Sequence, residues 1–489
     1  MPRGTIGSIA CGHPLAARVG TDSLVSGGNA VDAAIAAAYA LMVVLPEACG
    51  IGGDAIFLVS APEGTRAFNG TGLSPQGFSA PLAADGAATA TVPGAVAALE
   101  LAGQRFGRAT REENLAPAIA LARHGFPVTE YLLGAIARQR PRLERGAPGC
   151  ELLDPNLRAG SVLRLPALAS TLEAISVAGP KAFYVGEVAA AVESTALSEG
   201  SSLSALDLAA HETVELPALL VQRHGASVWA SPPASQAVLA LMALGVLDQE
   251  SSKAPTVRTH MAVEAIEAAF AFRADIASPD GVERLLEEVL GVDAERAQRR
   301  GGPTQQTHTT TVTSADRDGM VVSMVISLYD EFGCATLVPE FGFFLNNRML
   351  GFDEANDSPN RARPSARPIH TLSPVIVEDA TRRFAVATPG ADGQVQTVTQ
   401  VLDSILGDRM SLTAAVDRPR WRSSDASLIV EGGFAGDVAE GLRGLGHQLD
   451  WRPGRDKSFG AVVIAGVEKG CETTFAVADM RREAAASVC

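Results

Sequence analysis

Aromatic residues make up only 5% of the 489-residue chain, and its six cysteines are scattered from Cys11 to Cys489 without a CxxC pair. Cysteines this sparse in a chain this long exclude a disulfide-built scaffold, and no histidine stands at a metal-ligand spacing. They read as isolated small apolar residues. Neither GxGxxG nor GxxxxGK[ST] occurs, so the glycine-rich segments carry no phosphate-cradling signature. Residues 1–14 lack the uninterrupted apolar run of a secretory signal. The most apolar stretch, residues 33–45, is too short for a membrane span and fits a buried helix. These absences predict a cytoplasmic protein. Positive charge is also in deficit: 40 Lys and Arg face 55 Asp and Glu, a net charge of −15, which argues against nucleic acid or an anionic membrane as partner.

What is present is a well-packed composition, 47% hydrophobic and 19% charged. Length alone predicts roughly two or three lobes. Gly27-Gly28-Asn29 is turn chemistry before an Ala-rich helix that Pro46 closes. The bend at Gly50-Ile51-Gly52-Gly53 leads into a buried strand at 55–60. Residues from about 91 to 290 read as mainly helical, with one helix from Pro93-Gly94, one over 115–123, one over 238–244 ended by Gly245, and one over 260–276. From 309 onward, β-branched runs at 309–313, 321–326, 384–388 and 461–464 alternate with turns. The segment 353–367 reads as a loop, and 303–306 as an exposed linker. Together these predict an α/β molecule with strands buried between helical layers.

Two of the β-prone runs flank Asp316-Arg317-Asp318-Gly319, which predicts a hairpin. Symmetric pairing about that turn sets Thr309 opposite Ile326, and one residue of bulge sets it opposite Ser327. A second hydroxyl there suits a threonine nucleophile. Such a threonine becomes competent when its own α-amine, with a pKa near 8, is free to accept the hydroxyl proton. That requires cleavage of the His308–Thr309 bond. A plain threonine-rich strand is the alternative on composition, and Thr307 and Thr310 are alternative cut points.

Thr309-Thr310-Thr311-Val312 followed by Asp316-Arg317-Asp318-Gly319 resembles the processing site of the gamma-glutamyltransferase-like family. Further family-like signatures follow in order at 332–333, 342–347, 367–374, 388–390 and 417–421. The first half agrees at 27–32, 50–53, 91–94 and 115–118, so the likeness is collinear over nearly the whole chain. The resemblance implies an N-terminal-nucleophile hydrolase with a four-layer αββα sandwich, made as a proenzyme. The fragments 1–308 and 309–489 would both contribute to that sandwich as a heterodimer, with further dimerisation open. Thr309 falls at the nucleophile, and Ser327 at the threonine that hydrogen-bonds it. Gly390 and Ala391 fall at paired glycines whose N–H groups form the oxyanion hole, worth roughly 3–4 kcal/mol each.

The departures lie in the substrate pocket. The family's R-E-x-A-P motif reads Thr71-Gly72-Leu73-Ser74-Pro75, so Thr71 replaces the arginine that grips the substrate carboxylate. Gly351 stands at the acidic ammonium grip, Arg348 at a glutamine, Tyr329 at an asparagine, and His370 and Thr371 at paired serines. Thr311 replaces the usual histidine. With both glutamyl grips gone, glutathione is not the expected substrate. Arg348 instead suits a small substrate with a carboxylate or oxalyl-like group beside the bond that breaks. Its structural alternative is an ion pair with Asp353 or Glu354, and that of His370 is a satisfied core histidine. Two other readings stay open: C–C cleavage beside a keto-acid by the same nucleophile, and an unprocessed, non-catalytic relative. Nothing in the sequence points to a metal or organic cofactor.

Overall fold

A computed structural model describes residues 1–250, 254–278, 281–303, 308–425 and 427–489. The expected linker at 303–306 therefore lies outside the described residues except for Pro303, and Thr307 lies outside them too.

The Ala-rich run forms the helix Ala30–Val44, in which all residues are buried. Small side chains let it lie close on a sheet, and its start is fixed by a capping box between Asn29 and Asp32. Asp316, first residue of the D-R-D-G turn, also accepts from the Ala30 N–H at 2.9 Å. The hairpin turn is thereby tied to the helix that covers its sheet.

Two seven-stranded antiparallel sheets form the centre. The first runs in the order Ala485–Val488, Gly7–Cys11, His308–Asp316, Val321–Tyr329, Asp54–Ala61, Gly64–Gly70, Val214–Pro217. The second runs Arg3–Gly4, Thr474–Ala478, Val463–Glu468, Arg382–Ala387, Val375–Glu378, Ala226–Ala230, Leu219–Arg223. Their facing sides meet through small and β-branched residues such as Ala10, Ile56, Val325, Ala387 and Val463, all fully buried. Helices Pro14–Val25, Ala30–Val44 and Ala95–Phe106 share a core with the outer face of the first sheet. Helices Ala237–Gln249 and Gly393–Leu402 do the same for the second. The result is the four-layer αββα sandwich, and the chain's length goes into layers rather than separate lobes.

Both halves of the chain interleave in both sheets. In the first sheet His308–Asp316 sits between Gly7–Cys11, from before residue 308, and Val321–Tyr329, from after it, and Val321–Tyr329 pairs in turn with Asp54–Ala61.

Three expectations need correction. The helical reading of 91–290 misses the strands Val214–Pro217, Leu219–Arg223 and Ala226–Ala230, where the chain passes from the edge of one sheet to the edge of the other. Gly245 does not end its helix, which continues to Gln249. The missing side chain leaves room for Arg223, whose guanidinium would stand 3.1 Å from a Cβ there. The last long helix of that region is Pro255–Phe270, with a separate short turn at Ala274–Ala277.

Candidate active site

The hairpin places Thr310 opposite Ile326 and His308 opposite Tyr329, with the register shift between them. Continued by one residue, the Thr310–Ile326 register sets Thr309 against Ser327, the pairing that the one-residue offset from symmetry predicts, and the shift beyond it carries His308 on to Tyr329. Thr309 Oγ1 donates to Ser327 Oγ at 3.2 Å, and Ser327 Oγ donates to the His308 carbonyl oxygen at 2.9 Å. The Tyr329 N–H donates to Ser327 Oγ at 2.8 Å and fixes that hydroxyl. Thr310 offers no rival arrangement: its buried hydroxyl has no partner.

His308 itself is held tightly. Its Nε2 lies 3.0 Å from Glu331 Oε1, and the Tyr131 hydroxyl lies 3.4 Å from its Nδ1. Burial lowers the imidazole's pKa against the pull of Glu331. Burial alone would raise Glu331, but hydrogen bonds from His308, Arg138 and Gln139 more than offset it and hold the carboxylate well below its usual range. The pair is best described as neutral imidazole on ionised carboxylate.

Gly390 and Ala391 follow the strand Arg382–Ala387 of the second sheet, and both have positive φ, 135° and 51°. Among the described residues, neither N–H donates to a protein acceptor, whereas their carbonyls accept from Gly393 and Gln394 at 2.8 and 3.0 Å. Two amides bent out of regular structure and left open are what an oxyanion hole requires. Pro389, just before them, lines a cavity together with Thr309, Thr310, Tyr131 and Glu47.

Glu47 in that cavity carries no sequence signal. It is fully buried, both carboxylate oxygens lack partners, and burial pushes its pKa up to about 8, with Glu483 and Glu331 adding to the shift.

The substrate-pocket residues gather around Asp54, which faces Ser327 across the first sheet. Arg348 is fully buried, and its Nε pairs with Asp54 Oδ2 at 3.0 Å, so Asp353 and Glu354 are not its partners. The correction has a simple cause: Arg348 opens an inward-facing helical turn, Arg348–Gly351, which aims it into the sheet instead of along the loop. Its guanidinium lies over the Tyr329 ring at 4.7 Å, and Tyr329 has φ of 86°. Both terminal nitrogens of Arg348 are buried without a hydrogen-bond partner. Both ring nitrogens of His370 and the Thr371 hydroxyl are equally bare, which overturns the satisfied-histidine alternative. The His370 backbone is clamped by Ala234 and Gln236 at 2.7 and 2.8 Å, so the bare ring is not the result of a loose segment. Burial, reinforced by Arg348 and Arg367, drives its pKa well below the ordinary value and keeps it neutral.

Thr71 does not join this group as a donor: its hydroxyl is committed to Asn69 Oδ1 at 2.6 Å. Its carbonyl accepts from Arg367 Nε at 3.1 Å, a second cation of the pocket that its place in a longer signature had hidden. Gly351 leaves little room for the missing acid, since a Cβ there would stand 3.3 Å from the Ile369 carbonyl oxygen.

Away from this region, the fold brings His260, Glu264 and His447 within metal-ligand reach, a grouping that sequence spacing did not reveal. His260 Nδ1 lies 2.8 Å from His447 Nε2 and its Nε2 lies 2.7 Å from the Asp293 carbonyl oxygen. Glu264 accepts from the Gln298 N–H and from Arg300 at 2.9 and 3.1 Å. The two histidines thus bond each other, while Glu264 is held by Gln298 and Arg300. No helix among the described residues is long and apolar enough to cross a membrane.

The gamma-glutamyltranspeptidase family model matches residues 16–489. The oxamate amidohydrolase proenzyme of Klebsiella pneumoniae is 31% identical, over 91% of this chain and 92% of its own. The glutathione hydrolase proenzyme of Bacillus subtilis is 29% identical, over 99% of this chain and 91% of its own. Among solved structures, the cephalosporin acylase from Bacillus halodurans superposes with a TM-score of 0.89 at 28% identity, over 100% of this chain and 96% of that one. The hydroxyl pair, the open amides and these likenesses converge: the chain belongs to the gamma-glutamyltranspeptidase family and is an amide-hydrolysing N-terminal-nucleophile enzyme.

Proposed function

We propose that the chain is made as a precursor that cuts its own His308–Thr309 bond, and that the released Thr309 cleaves an amide of a small carboxylate-bearing or oxalyl-like substrate. The observation that carries this reading is the relay Thr309 Oγ1 to Ser327 Oγ to the His308 carbonyl oxygen, at 3.2 and 2.9 Å. In the precursor, Thr309 Oγ1 attacks the His308 carbonyl carbon. Its proton passes to Ser327, whose own proton goes to the carbonyl oxygen. Collapse breaks the C–N bond, returns that proton to the departing nitrogen, and leaves a His308 ester on Thr309. Water hydrolyses the ester, giving a free α-amine on Thr309 and a carboxylate on His308.

In the processed enzyme the α-amine takes the hydroxyl proton as Thr309 attacks the substrate carbonyl. The Gly390 and Ala391 N–H groups receive the oxyanion, and the departing amine leaves with the proton. Water or a second amine then resolves the acyl-threonine. The bare nitrogens of Arg348 grip the substrate carboxylate, and neutral His370 adds a hydrogen bond. The fragments 1–308 and 309–489 stay together as a heterodimer because each contributes hydrogen-bonded strands to both sheets. All six cysteines are free, which fits a reducing compartment such as the cytoplasm.

The denatured mass of purified protein tests the first step. Wild type is expected as two fragments divided at His308–Thr309, and Thr309→Ala as one intact chain. A folded wild type that stays intact would remove the nucleophile.

A further inference from the structure

The self-cleavage reading leaves unexplained why the side chain before the scissile bond is held so firmly. His308 contributes no atom to the relay except its carbonyl. Yet its imidazole lies between Glu331 at 3.0 Å and Tyr131 at 3.4 Å. Glu331 is in turn fixed by Arg138, whose Nε lies 3.2 Å away, and by Gln139 Nε2 at 2.9 Å. Tyr131, Arg138 and Gln139 all lie on one helix, Glu130–Gly146. Glu331 sits on a turn where Tyr329, Phe332 and Ala335 all take positive φ, 86°, 60° and 59°. Backbone in that region costs free energy and persists only where the surroundings enforce it. The Glu47 carbonyl accepts from the Phe332 N–H at 3.0 Å and pins the turn.

We propose that Glu331 is a positioning residue for self-cleavage, acting through the His308 imidazole to hold the scissile carbonyl on Ser327. The inference rests on the self-cleavage reading above. A peptide gripped only at its carbonyl can rotate out of line with the attacking hydroxyl. Gripped at the side chain as well, it has one orientation, and the attack becomes a step between fixed groups. A neutral imidazole that donates from Nε2 to the carboxylate leaves Nδ1 to accept from Tyr131, so both ring nitrogens work in one tautomer. Arg142, Asp330 and Lys457 line the same cleft, and none of them replaces Glu331 at the ring.

The test follows cleavage in time, by denatured mass, in chains made by cell-free synthesis. Compared with wild type, His308→Ala and Glu331→Gln are each expected to slow the appearance of fragment 309–489 roughly tenfold, the loss of one charge-assisted hydrogen bond. The double variant is expected to be no slower than the slower single one, because both act on one contact. Glu331→Gln cleaving at the wild-type rate, or a double variant whose delay is the product of the two, would overturn the proposal. A purely structural Glu331 gives that product. Melting temperatures of the same variants in the Thr309→Ala background establish that the uncut forms fold alike. If Glu331→Gln fails there, Glu331→Asp, too short to reach the ring, is read in the same way. Wild type that never cuts at this bond would instead sink the self-cleavage reading itself.

Discussion

Two buried arginine clusters in this molecule differ in a way that separates scaffold from site. Arg420 and Arg481 share Asp479 and Glu431, all at least 93% buried. Arg481 donates to Glu431 at 2.6 and 2.7 Å, and to the carbonyls of Val416 and Arg418 at 3.0 Å. Arg420 donates to Asp479 at 2.6 Å and to the Val416 and Phe459 carbonyls at 2.8 Å, leaving only its Nε bare. Arg348, just as deeply buried, has one carboxylate, one aromatic face and two bare terminal nitrogens. Burying a guanidinium is tolerable when its donors are filled, and costly when they are not. The closed cluster is a brace. The open one is where we propose the substrate carboxylate binds.

Breaking the brace gives the largest expected effect. Arg481→Met leaves Glu431 without its cation and Asp479 with Arg420 alone, and stability is expected to fall by about 3–5 kcal/mol, read from the urea midpoint. Arg348→Met is expected to cost less than half of that, because its removal also removes two unfilled donors. Its main effect falls on binding: KM for an amide carrying a carboxylate rises roughly ten- to hundredfold, the loss of a charged hydrogen bond worth about 1.5–3 kcal/mol. An unchanged KM together with a stability loss equal to that of Arg481→Met would erase the distinction between the clusters.

Glu47 sharpens the same contrast from the acidic side, since its carboxyl is open where Glu431 is filled. Its pKa is raised from 4.5 to about 8 in the folded chain. Between those values the folded protein keeps a proton that the unfolded chain has lost. Wild type therefore loses stability as pH rises through that window, by roughly 1.4 kcal/mol per unit at most. Glu47→Gln has no proton to lose, and its advantage over wild type is expected to grow from pH 5 to pH 7. Parallel melting curves of the two proteins against pH would count against an open, protonated Glu47.

The difference between brace and site also marks how far the sequence could be read. The Thr309–Ser327 meeting was legible because it is local: two β-prone runs, one tight turn, and a register with only two sensible values. The open amides at Gly390 and Ala391 were legible only through resemblance, since no spacing rule marks them. Asp54 as the partner of Arg348 was not legible, because the two lie 294 positions apart and meet only when strands stack. Glu47 was hidden for a similar reason, as it comes to line one cavity with Thr309 only where the segment after a helix closes over the sheet. The missed strands at 214–230 are only four or five residues each, Val214–Pro217 and Leu219–Arg223 lie at sheet edges, and runs such as Leu219-Leu220-Val221 do not alternate apolar with polar, so the period-two signal is weak.

The ends of the chain lie side by side in the first sheet. The Thr5 and Ile6 N–H groups both donate to the Cys489 carbonyl oxygen at 2.8 Å, and Gly7–Cys11 pairs with Ala485–Val488. The order in which the gene spells the molecule is therefore separable from its shape. A rearranged gene that begins at Thr309, runs to Cys489, and rejoins Met1 through a short linker would deliver the proposed nucleophile as the second residue of its product. Ordinary removal of the initiator methionine would then expose its amine, with no internal bond to cut.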